Sequence, residues 1–115
     1  MIFADAHCDY LSKAALGGEL NAPLPRQAIS WSNMENSGLT ALNMAAFCGE
    51  GTPEEMRDNV FKQIECFEKL APGRGRARSL KNGVAVFLSL EGLDYITCPE
   101  DGKARFVGGH NVEPF

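Results

Sequence analysis

The chain has 115 residues, 44% hydrophobic and 23% charged, a composition typical of one small globular domain and not of a disordered or fibrous protein. Its 15 acidic and 11 basic side chains give a formal charge of −4, which argues against nucleic acid as a partner. No apolar run reaches the roughly 18 residues that cross a bilayer, and no signal peptide is recognisable at the start. We therefore expect a cytoplasmic protein without membrane contact.

The first predicted strand covers residues 2–9, where side chains alternate between two faces. One face carries Phe3, Asp5, His7 and Asp9, so this face of the strand ends in polar side chains. Residues 11–38 give a weaker signal, because glycine and proline pairs interrupt any helix before a short one predicted over residues 30–37. Gly38 closes that helix.

Two further elements have clear patterns. Residues 39–47 are almost continuously apolar between glycines, which predicts a strand buried on both faces of a parallel sheet. Thr52, Pro53 and Glu55 then form a capping box with proline at the first helical position. The helix predicted over residues 53–70 presents an apolar stripe that should pack on the sheet, formed by Met56, Val60, Ile64 and Phe67.

The basic stretch over residues 74–81 contains four of the 11 basic residues. It is either a site for a phosphate or an acidic partner or a solvated loop, and we favour the loop because its glycines lack phosphate-binding spacing. Residues 83–90 predict another buried strand, followed directly by Glu91 and Gly92. Residues 96–115 contain only turn signals and predict an irregular tail.

The order strand, helix, strand, helix, strand predicts an α/β fold with about three parallel strands. Such a sheet is either open and doubly wound or curved as part of a barrel. The four cysteines form no C-x-x-C pair and are expected to be reduced, mostly buried thiols.

The residues best suited to bind a metal ion lie at the strand ends. His7 and Asp9 lie about 6.6 Å apart along one face of an extended chain, so both can reach one metal ion. Glu91 comes directly after an apolar strand, where an unpaired buried charge would be costly. Each could instead be a solvated residue at a strand end. Because the carboxyl ends of parallel strands share one edge, all three should lie together.

Two motifs resemble the renal (membrane) dipeptidase family of zinc metallopeptidases. Residues 4–9, ADAHCD, are similar to the opening D-x-H-x-D of that family, and residues 88–92, LSLEG, are similar to its strand-terminal E-G. The resemblance implies that residues 1–95 form part of a TIM-type (β/α) barrel with two zinc ions. His7 and Asp9 would bind the first zinc, and Glu91 would bridge both ions as the catalytic residue.

The implied activity is dipeptide hydrolysis by a hydroxide that the two metals share. Asp5 would support His7 without a catalytic role. The family's later histidines have no counterpart here, since His110 is the only other histidine and its setting matches no family motif. We therefore expect a truncated part of the barrel, inactive alone, that binds zinc weakly.

An incomplete sheet leaves an edge and an apolar face open, so we expect a homo-oligomer or a partner that completes the sheet. Two other functions remain open. The metal site could serve another amidohydrolase-type reaction, on a different amide, a lactone or a phosphoester. The chain could also be a non-catalytic interaction or structural module whose sheet edge pairs with a partner.

Overall fold

The computed structural model describes residues 2–15, 17, 29–73 and 77–92, together with the backbone of residues 106–107 and 111–112. The helices are α1 (Tyr10–Ala15), α2 (Trp31–Ser37) and α3 (Pro53–Leu70). The strands are β1 (Phe3–Cys8), β2 (Leu39–Phe47), β3 (Ala77–Ser79), β4 (Ala85–Glu91), β5 (Phe106–Val107) and β6 (Asn111–Val112). The α/β class predicted from the sequence is confirmed.

The main sheet has four strands in the order β1-β2-β4-β3. The first three of these are parallel, as predicted, whereas β3 pairs antiparallel with β4. The short β3 falls within the basic stretch for which a solvated loop was favoured, so that loop prediction is wrong for residues 77–79. The two-residue strands β5 and β6 form a separate antiparallel pair, where the sequence indicated only turns.

Local sequence signals fix the ends of α2 and α3. Gly38 ends α2 with a φ of 70°, a left-handed conformation that glycine adopts without a side-chain penalty. The capping box of α3 is present: the Thr52 hydroxyl accepts a hydrogen bond from the Glu55 amide at 3.2 Å, and the Glu55 carboxylate accepts one from the Thr52 amide at 2.8 Å. Both helices therefore begin and end close to the predicted residues.

The hydrophobic core lies on one face of the sheet, beneath the helices. Alternate residues of β2 and β4 face this core, and Leu42, Met44 and Val86 are completely buried. Leu11 of α1 and Phe67 of α3 pack into the same cluster. The alternate positions of β2 and β4 face the other way, and two of their phenylalanines remain 41% and 42% exposed, namely Phe47 and Phe87. Among the described residues, the helices thus cover only one face.

Antiparallel β3 distinguishes this sheet from the start of a regular barrel. It pairs with the first half of β4, from Ser79 opposite Ala85 to Ala77 opposite Phe87. A parallel barrel would place its next strand on this side of β4. Arg78 holds β3 against α3, because its guanidinium lies 2.7 Å from the Glu68 carboxylate and 5.4 Å from the centre of the Phe67 ring. The described strands form an open sheet.

Two features bear on the environment predicted for the chain. Cys8 and Cys48 are buried reduced cysteines and Cys66 is a half-buried one, as expected, while Cys98 lies outside the described residues. None of the helices in the described part combines the length and apolar character that crossing a bilayer requires.

Truncating one side chain on each face tests which face carries the core. Met44→Ala should lower the free energy of unfolding by about 2–5 kcal/mol, because it leaves a cavity among buried side chains. Phe87→Ala should cost about 1 kcal/mol, because much of that ring is already in water. Urea denaturation followed by circular dichroism measures both. Equal losses would show that the Phe87 face is packed as well.

Candidate metal centre

The carboxyl ends of β1, β2 and β4 lie along one edge of the sheet, with β2 in the middle. His7 is the last residue but one of β1, Asp9 follows that strand directly, and Glu91 is the last residue of β4. Glu91 pairs in register with Phe47, the last residue of β2. The three residues predicted as metal ligands therefore lie at the same edge.

The three side chains also meet. Nε2 of His7 lies 3.0 Å from Oδ1 of Asp9 and 3.1 Å from Oε2 of Glu91. One ligand atom from each residue lies within 4.8 Å of the other two. Zinc bonds to nitrogen and oxygen of about 2.0–2.2 Å place neighbouring ligand atoms of a tetrahedral ion about 3.4 Å apart. The donor set and its spacing therefore fit one divalent ion after small side-chain rotations.

Water reaches all three ligands. The side chains of His7, Asp9 and Glu91 are 51%, 62% and 47% exposed. Ion pairs this exposed contribute little to stability, so a metal ion can replace the contacts between imidazole and carboxylates at small cost. Three protein ligands with water in the remaining position is the arrangement typical of catalytic zinc sites, whereas structural sites are closed.

An irregularity in β1 sets the position of His7. The pairing of β1 with β2 shifts between Asp5 and Cys8, so the strand bulges at this point. The Asp5 carboxylate accepts a hydrogen bond from the His7 backbone amide at 2.9 Å, and the Asn43 side chain donates one to the Ala6 carbonyl at 3.0 Å. Bulges of this kind redirect side chains next to functional sites. The support expected from Asp5 thus acts on the backbone of His7.

Cys8 lies between two of the candidate ligands but is not itself a suitable ligand. Its side chain is only 6% exposed and belongs to the hydrophobic core. Burial raises the pKa of the Cys8 thiol, and the carboxylates of Asp5 and Asp9 add to this effect, although a hydrogen bond with the Tyr10 backbone opposes it. Because the Cys8 side chain is packed in the core, the site is left to nitrogen and oxygen ligands.

A pocket of about 210 Å³ opens beside the cluster. It is lined by Asp5, His7, Cys8, Asp9, Tyr10, Lys13 and Ile29. Tyr10 and Lys13 come from α1, which the sequence analysis did not predict. The available signal was the run Leu-Ser-Lys-Ala-Ala over residues 11–15, since most of these residues favour helix and Asp9, just before Tyr10, favours the position before a helix.

The second zinc ion remains a prediction from the resemblance. Within the described residues, His7, Asp9 and Glu91 form the only group of three potential ligands that converge. His110, the only other histidine of the sequence, lies outside the described residues.

Comparisons of the chain with protein-family models, with curated proteins and with solved structures give no match. Function is therefore inferred from the residues of the site itself.

Zinc titration followed by calorimetry tests the candidate centre. Wild-type protein should bind one zinc ion per chain with an affinity weaker than nanomolar, because water completes the coordination of three exposed ligands. His7→Ala should weaken binding by more than about a hundredfold, because loss of a residue that only supports a ligand already costs about 10–100-fold. Asp58→Asn, which removes an exposed carboxylate from α3, serves as the control and should bind zinc as wild type does. Equal affinities of the His7 variant and wild type would rule out His7 as a ligand.

Proposed function

We propose that the chain is part of a zinc-dependent dipeptidase of the type that its sequence resembles, with His7, Asp9 and Glu91 as metal ligands. The observation that carries the proposal is the convergence of these ligand atoms within 4.8 Å. They lie at the carboxyl ends of β1 and β4, which β2 separates. Solvated residues at strand ends have no physical requirement to converge on one imidazole.

The strand arrangement supports a barrel-type origin. β1, β2 and β4 are parallel neighbours in chain order, and the described helices pack on one side of them. In a barrel the other side would face the interior. The antiparallel β3 departs from the arrangement of a parallel barrel. In the described part of the chain, β3 pairs only with residues 85–87 of β4. Residues 88–91 therefore have room for a further strand on that edge.

The ligand set fits hydrolysis. A zinc ion bound here would supply a hydroxide nucleophile and would polarise the scissile carbonyl. His7 would hold the ion through Nε2, while Asp9 and Glu91 would offset its charge. The second carboxylate oxygen of Glu91 can hold a second ion or accept a proton from water, and this makes Glu91 the proposed catalytic residue.

Lys13 supports a substrate that carries a carboxylate, as a dipeptide does. It is the one cation among the described residues that line the pocket, and two candidate metal ligands line the same pocket. A peptide bound with its carbonyl near the ligands can place its carboxylate near the Lys13 ammonium.

Dipeptide binding tests the proposed function. With zinc present, wild-type protein should bind members of a small dipeptide panel, and binding should disappear with a chelator or in Glu91→Gln. Little or no turnover is expected, because the described residues supply one three-ligand cluster and not a two-ion site. Calorimetry measures binding, and release of free amino acids measures turnover. Dipeptide binding of equal affinity with and without zinc, and in wild type and Glu91→Gln, would overturn the proposal.

Lys13→Gln separates recognition of the carboxylate from metal binding. The variant should bind a dipeptide about tenfold more weakly, a change of about 1.4 kcal/mol, and should bind the corresponding dipeptide amide as wild type does. Zinc affinity should stay unchanged. Equal losses for the dipeptide and its amide would show that Lys13 does not contact the carboxylate.

Two other functions are consistent with some of the same structural observations. The same ligands suit hydrolysis of another amide, a lactone or a phosphoester, and tighter zinc-dependent binding of such compounds than of dipeptides would favour that reading. The exposed rings of Phe47 and Phe87 favour an interaction module or a homo-oligomer, with a partner completing the sheet. Partner binding that is unaffected by a chelator and by His7→Ala would favour the module.

A further inference from the structure

A buried glutamine of α3 binds the backbone at the end of β2. The Gln63 side chain is completely buried. Its Oε1 accepts a hydrogen bond from the Phe47 amide at 3.0 Å, and its Nε2 donates one to the Phe47 carbonyl at 2.7 Å. One side chain therefore satisfies both backbone groups of a single strand residue.

Phe47 needs this partner because β1 ends too early to provide one. The last residue of β2 that pairs with β1 is Met44. On its other side, β2 pairs with β4 through the Cys48 amide, which donates to the Glu91 carbonyl at 3.1 Å. In a parallel ladder the amide and carbonyl of one residue point to the same neighbouring strand, and those of the next residue point to the opposite side. Because the Cys48 amide points to β4, the amide and carbonyl of Phe47 point towards the side of β1. Gln63 takes the place of the missing strand.

Asn59, one helical turn before Gln63, strengthens the same connection. Its side-chain amide donates to the Cys48 carbonyl at 3.1 Å and to the Phe47 carbonyl at 3.4 Å. The Gln63 amide also donates to the Asn59 carbonyl at 3.3 Å. Two side chains of α3 thus hold residues 47 and 48, and residue 48 in turn binds the backbone of Glu91.

We infer that Gln63 is a positioning residue for the metal centre, because it fixes the carboxyl end of β2 and through it the backbone of Glu91. This inference rests on the proposed function. Glu91 is the one candidate ligand from β4, and its carboxylate must stay within reach of His7. An apolar residue at position 63 would fill the space but would leave the Phe47 amide without a partner and its carbonyl with only the longer bond from Asn59, so the strand end would shift to find water.

Zinc affinity of Gln63→Met, measured by calorimetry with the metal alone, tests the inference. Methionine keeps the length of the side chain and removes both bonds to Phe47. We expect zinc affinity to fall about tenfold, as is typical when a residue that supports a ligand is lost. Val60→Ala is the matched control, because it weakens the buried face of the same helix and touches no hydrogen bond to β2. It should lower stability and leave zinc affinity unchanged.

A double variant that combines Gln63→Met with Glu91→Gln shows whether Gln63 acts through Glu91. In Glu91→Gln, adding Gln63→Met should cause no further loss of zinc affinity, because the ligand that Gln63 positions is already gone. An equal loss in both backgrounds would overturn the inference. Asn59→Ala gives a milder version of the test should Gln63→Met fail to fold, and it should lower zinc affinity by a few-fold. Unchanged affinity in Asn59→Ala would then count against the inference.

The outcomes separate the inference from the function on which it rests. If wild-type protein binds zinc and Gln63→Met binds it equally well, Gln63 has a structural role only and the proposed metal centre stands. If wild-type protein binds no zinc, the proposed metal centre is overturned and the positioning role of Gln63 falls with it.

Discussion

The parallel ladder between β2 and β4 runs without interruption from Ala41 opposite Ala85 to Phe47 opposite Glu91. A slip of one residue would turn every side chain of β4 to the other face of the sheet. Val86 would then leave the core, and Glu91 would leave the neighbourhood of His7. Packing and site geometry therefore depend on one register. The hydrophobic face beneath the helices holds that register, because moving it would expose several buried side chains at once.

The sequence predicted the elements whose signals are local. β2 is a long apolar run between glycines, and α3 has its own capping box and stripe, so neither depends on distant contacts for its identity. By contrast, α1 has only six residues, too few for propensity to be decisive. β3 has three residues in a basic stretch, and it forms because β4 offers a free edge and because α3 holds Arg78. Such tertiary causes leave no pattern in the segment itself.

The candidate site divides in the same way. His7, Asp9 and Glu91 could be predicted, since the ends of parallel strands share one edge whatever the details of packing. Lys13 could not, because its place in the pocket depends on α1. Gln63 did leave a signal that is clear in retrospect: it lies three residues after Val60 and four before Phe67, within the buried face of α3. A polar residue at such a position requires a partner in the interior.

The bulge in β1 determines how the site tolerates changes in chain length. Of the two register shifts in this pairing, the one between Asp5 and Cys8 sets three steps of β1 against two steps of β2, so β1 carries one extra residue there. Deleting Ala6 would keep Cys8 in the core, but it would place the histidine directly after Asp5 and would remove the hydrogen bonds that set the position of the His7 backbone. The deletion would thus preserve the fold and disturb the position of His7. Asp5, Cys8 and Asp9 already constrain the residue types around His7, and the extra residue constrains the length of this segment as well.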